Sequence, residues 1–140
     1  RALFRADVDI FANAGHPAED FGYYLHLEPG NCYAGAALFQ PSKTALARLR
    51  ARLIDDPEEL QNILANPDFQ TDFPDGLVTR RELSALPDGV LGSDPAAPYL
   101  KMVGLGCRKD VPDALLLEDD VIDLLIEIFC AARPLVRCFY

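Results

Sequence analysis

Phe21-Gly22-Tyr23-Tyr24-Leu25-His26-Leu27-Glu28-Pro29-Gly30-Asn31 is the stretch on which the fold turns. Side chains along a strand alternate with period two. Tyr23, Leu25 and Leu27 therefore share one face, and Tyr24, His26 and Glu28 share the other. Glu28-Pro29-Gly30-Asn31 then reads as a turn. Pro29 presets φ at the second position and Gly30 supplies positive φ at the third. Cys32–Phe39 returns as the partner strand, which makes 22–39 a β-hairpin. Its Ala34, Gly35, Ala36 and Ala37 are small, so a helix or a ligand can approach closely, and helix packing is the commoner reason. The reading assigns Tyr23, Leu25 and Leu27 to the core.

Working outward, Arg1–Ala12 alternates in part and is predicted as a strand. Asn13–Asp20, with Gly15 and Pro17, is a loop. After the hairpin, Ser42 caps a helix that carries Leu46, Leu49 and Leu53 and stops near Asp55. Asp56-Pro57-Glu58-Glu59 opens a second helix with Leu60, Ile63 and Leu64 on its apolar face. Asn66-Pro67 ends it and leads to a short turn with Phe69 and Phe73 inward. Thr79-Arg80-Arg81-Glu82 has the form of a capping box and predicts a short helix through Leu86. Ser93–Pro98 is irregular, with one helical turn after Asp94-Pro95. Leu100–Cys107 reads as a strand, and Asp110–Asp113 as a loop. A strongly apolar helix starts near Glu118, is expected to be mostly buried, and breaks or kinks at Pro134. This order predicts a single α+β domain over residues 1–140. A mainly antiparallel sheet contains the 22–39 hairpin, with helices packed on one face.

The chain has 140 residues and a net charge of −9. No apolar run approaches the roughly 20 residues that span a bilayer. No charged-then-apolar leader is present, so the sequence predicts a soluble, cytoplasmic domain with no membrane partner. The first residue is Arg1 rather than Met, which is read as a fragment of a longer chain. Residues 6–42, 53–79 and 110–132 hold acids but no Lys or Arg. Nucleic-acid binding rests on neutralising phosphates with such cations, so no nucleic acid is expected as a partner. Cys32, Cys107, Cys130 and Cys138 form no C-x-x-C pair. Cys130 and Cys138 would stand about 12 Å apart along one straight helix, too far for a disulfide. Free thiols are expected.

Chemistry has one candidate location. Tyr24, His26 and Glu28 share a strand face, and a histidine beside a carboxylate can be oriented as a general base or serve as a metal ligand. They are weak catalytic candidates, because a third group and a pocket are also needed. A metal site from His16, His26 and Asp20 is conceivable but not favoured, and no metal or cofactor-binding residue is assigned. No P-loop, G-x-G-x-x-G or G-x-S-x-G occurs. The favoured function is a non-catalytic binding or assembly module, through self-association or a protein partner at a sheet edge or the small-residue face. The alternative is a small-molecule enzyme or ligand-binding domain with a site around His26 and Glu28. The cofactor and any small-molecule ligand stay unassigned.

Several motifs in order resemble one family, the domain of unknown function numbered 2461. They are Gly22–Gly30 with the small residues through Leu38, Asp55–Leu60, Asn66–Phe69, Leu86–Gly89, the helix from Glu118, and Arg133-Pro134-Leu135. The resemblance covers roughly residues 21–140. It implies an α+β fold and no established activity. It also implies helices and a basic stretch before the hairpin, of which this chain keeps only Arg1 and Arg5. Asp88 stands where a basic residue is common in that family.

Overall fold

A computed structural model describes residues 7–13, 16 and 18–139. Four strands, β1 (Val8–Asn13), β2 (Gly22–Leu27), β3 (Tyr33–Leu38) and β4 (Leu105–Asp110), form one antiparallel sheet in the order β1-β2-β3-β4. The predicted hairpin is β2–β3. Gly30 has φ 74° and the Asn31 N–H donates to the Glu28 carbonyl at 2.9 Å, so the turn closes as its residues require. β1 covers Val8–Ala12 of the predicted first strand and runs one residue further, to Asn13; residues 1–6 of that prediction lie outside the described ones.

The helices are α1 (Lys43–Asp55), α2 (Pro57–Ala65), α3 (Pro67–Asp72), α4 (Ala97–Leu100), α5 (Asp113–Leu116) and α6 (Val121–Cys138). Ser42 caps α1 by accepting from the Ala45 N–H at 3.1 Å. Asp56 does the same for α2 through Glu59, and Pro57 fills the first helical position. α6 crosses the sheet chiefly over β3. The small residues there serve helix packing: Ala34 and Ala36 are fully buried, together with Ile128, Ala132 and Leu135 of α6. Leu49, Leu53, Leu60, Phe69, Phe73 and Leu100 complete the core beside them. A Cβ on Gly35 would run into the Cys107 carbonyl oxygen, so this position tolerates no side chain.

Four expectations need correction. Thr79–Leu86 forms no helix. Val78 and Glu82 instead make antiparallel bridges to Gly106 and Met102. The Thr79 hydroxyl lies within hydrogen-bonding distance of the Gly104 carbonyl, at 2.8 Å, and of the Arg81 carbonyl, at 3.0 Å. Pairing with the chain beside β4 satisfies backbone groups that a capped helix would have satisfied locally. The strand predicted over 100–107 begins only at Leu105 and reaches Asp110, because Ala97–Leu100 is a helical turn. α6 is not broken at Pro134 and continues to Cys138. Proline removes one helical N–H, and packing of the surrounding turns tolerates that loss. Finally, α6 is buried only from Ile128 onward; Ile122 is 63% and Ile126 52% exposed.

The two faces of β2 also differ from the simple core-and-solvent picture. Tyr23, Leu25 and Leu27 face α6 yet are only half-buried. Tyr24 is 1% and His26 5% exposed, on the face that α6 does not cover. That second face is closed by its own side chains. Rings of Phe11, Tyr33 and Phe39 stand 6.3, 5.9 and 5.6 Å from that of Tyr24.

Candidate functional site

The β1–β2 register places Asp9 opposite His26, and the β2–β3 register places Tyr33 on its other side. Strand alternation points all three to the face opposite α6. His26 Nδ1 lies 2.7 Å from Asp9 Oδ1, and Nε2 lies 3.3 Å from Glu28 Oε1. Only the charged ring can donate from both nitrogens. Burial acts to lower the His26 pKa and is the largest single influence. The hydrogen bonds and charges of Asp9 and Glu28 together outweigh it, and the net shift is upward. The Tyr33 ring stacks on His26 at 4.4 Å, and the Arg108 guanidinium lies 4.1 Å from the Tyr33 centroid. Arg108 in turn pairs with Asp110 at 3.0 Å. Glu28 is also held by the Asn31 amide at 2.6 Å.

Of the three residues singled out in the sequence, His26 and Glu28 meet and Tyr24 does not join them. The Tyr24 hydroxyl donates to the Cys107 carbonyl at 3.2 Å, and burial pushes its pKa upward. His16 is placed elsewhere: its Nδ1 accepts from the Ala18 N–H at 3.1 Å. The sequence reading missed Asp7 and Asp9. Asp7, Asp9 and His26 each offer a ligand atom, and these lie within 4.8 Å of one another. Two carboxylate oxygens and an imidazole nitrogen are a donor set that suits a divalent cation of intermediate hardness. The signal was present as the alternation Asp7-Val8-Asp9-Ile10, but only the strand register connects it to His26.

The cysteines are free, as expected from their spacing; Cys32, Cys107 and Cys138 are buried and Cys130 is exposed. Burial raises the Cys107 thiol to about 12 and the Cys138 thiol to about 11. Such thiols are poor nucleophiles at neutral pH. Two clefts lie away from the histidine. One, of about 690 Å³, separates α2 and α3 from α6. The other, of about 270 Å³, lies between β2 and the end of α6. Neither has Tyr24, His26 or Glu28 in its walls.

Among the described residues, no helix is long and apolar enough to cross a membrane. No curated protein and no solved structure matches the chain. A family model described as a conserved hypothetical protein, DUF2461, matches residues 2–138. That match spans both the hairpin and α6, and the chain belongs to the DUF2461 family.

Proposed function

We propose that this domain is a non-catalytic binding module that takes an extended segment of another protein as a further strand along β1. The observation that carries the reading is the apolar exposure of that edge strand. Val8 is 55% and Ile10 52% exposed on the α6 side, and Phe11 is 44% exposed on the other. Edge strands normally carry charge or cover against unwanted pairing. Strand addition uses such an edge, with main-chain hydrogen bonds for affinity and alternate side chains for specificity. Charge narrows the partner. Residues 6–42, which include β1, hold five acids and no Lys or Arg. A second copy would bring like charges together, so a foreign strand of alternating apolar and basic residues fits better. The histidine supports the non-catalytic part of the reading. Both its nitrogens are held by carboxylates, so the ring ties β1 to β2 rather than offering a free base.

The test is a titration with labelled extended peptides in which apolar residues alternate with Lys or Arg. Saturable binding is expected, weakened by salt and lost in Ile10→Lys and Phe11→Ser. Equal binding of peptides with Glu in place of the basic residues would count against it, as would no binding at all. A second reading, a small-molecule or metal-dependent site around His26 and Glu28, is favoured by the Asp7, Asp9 and His26 grouping. It predicts saturable binding of Mn²⁺ or Zn²⁺ that His26→Ala removes.

A further inference from the structure

The cleft between α2–α3 and α6 carries an inference independent of β1. Arg133 and Arg137 lie one turn apart on α6, so their side chains project from the same side of the helix. Both line the larger cleft, and both also line the smaller one beside Tyr23. Two other cations reach acids of the cleft wall: Arg52 pairs with Glu59 at 2.5 Å and Lys109 with Asp72 at 3.2 Å. Among the described residues, Arg133 and Arg137 close no ion pair and donate no hydrogen bond. The carboxylates across the larger cleft do not neutralise them. Glu59 and Asp72 already have the partners just named, and Asp68 is a single opposing charge. A chain of net charge −9 therefore keeps two unpaired guanidinium groups together at the wall of a cavity.

We propose that this cleft binds a compact anion, a carboxylate or phosphate on a small molecule, through Arg133 and Arg137. The cavity of about 690 Å³ falls in the range of small-molecule sites. Guanidinium forks match the oxygen spacing of carboxylate and phosphate, which a point charge does not. Pro134 adds a second feature. It has no N–H, so the carbonyl four residues earlier, that of Cys130, lacks its helical donor. Cys130 and Pro134 both line the cleft. A ligand with a hydroxyl or amine beside its anionic group can supply that missing donor while the arginines hold the anion.

The experiment is NMR titration of the whole 140-residue chain, following the α6 amides and the arginine side-chain Nε–H signals. Inorganic phosphate, citrate and 3-phosphoglycerate are the probes, with chloride at matched ionic strength as the control. Saturable shifts at Arg133 and Arg137 are expected. Arg133→Gln and Arg137→Gln should each weaken binding at least about tenfold, since a charge-assisted hydrogen bond contributes that much. Lys at either position should restore only part of it. Binding by citrate alone assigns a carboxylate ligand, and binding by the phosphates alone assigns a phosphorylated one. The proposal is overturned if no probe saturates by about 20 mM, if chloride shifts the same signals equally, or if both Gln variants bind as the parent does. Both arginines are exposed, so these variants should keep the thermal midpoint of the parent.

Discussion

His26 is held between two carboxylates from different parts of the chain, and its protonation is therefore tied to folding. Its folded pKa lies above the unfolded value of about 6.5. A group raised on folding contributes stability that is fully present below the unfolded pKa and is lost as pH rises through the folded one. The difference in urea midpoint between the parent and His26→Gln should thus be largest near pH 6 and shrink toward pH 9. A difference that grows with pH would contradict the bridging role. Gly35 is a second decisive residue. Gly35→Ala forces a methyl group into the Cys107 carbonyl and should cost about 3 kcal/mol or more, measured by chemical denaturation. At this scale the sequence revealed the shared face of Tyr24, His26 and Glu28, because alternation is local. It hid the Asp9 contact, because that depends on which residue of β1 stands opposite His26.

Elements were most legible where a local signal had no competitor. Ser42 and Asp56 cap the helices that follow them, and each lies before a regular apolar pattern; Asn66, read only as the end of α2 and the start of a short turn, caps α3 as well. Ser42→Ala should cost about 1 kcal/mol in thermal or urea unfolding, the usual effect of losing such a cap. Thr79 has the same local appearance and a different role. Its hydroxyl lies 2.8 Å from the Gly104 carbonyl, and the backbone on either side bridges to Gly106 and Met102. Thr79→Ser should keep near-parent stability, whereas Thr79→Ala should lose about 1 kcal/mol. Glu82→Ala should be close to neutral, since no capping box forms there. A Glu82 effect as large as that of Thr79 would restore the helical reading. The misreading arose because pairing of Val78 with Gly106 and of Glu82 with Met102, residues remote in sequence, overrode a four-residue motif. α6 teaches the converse. Its composition promised a mostly buried helix, but its first half meets too few neighbours, and Ile122 and Ile126 stay exposed.

For the whole molecule, charge is the dominant long-range property. The acids are spread along the chain, and a net charge of −9 repels itself in the compact state. Raising salt from about 10 mM to 150 mM shortens the screening length from about 30 to 8 Å. The thermal midpoint should rise by about 2 °C or more over that range. A fall would mean that the ion pairs, such as Arg52–Glu59, contribute more than the net repulsion costs. The α+β class and the one-sided helical layer were readable from element order alone. The closed second face was not, because it depends on four aromatic residues brought together from three strands and a loop.

The meander order has a kinetic meaning as well. β2 and β3 are joined by a tight turn, but β3 and β4 enclose residues 39–104. Closing that longer loop costs about 2 kcal/mol more in chain entropy than closing the hairpin. The hairpin can therefore exist early as a template, with α1 to α4 still unplaced, and β4 docks onto it late. Stability changes in the hairpin turn should then appear mainly in the refolding rate, and those at Gly106 mainly in the unfolding rate.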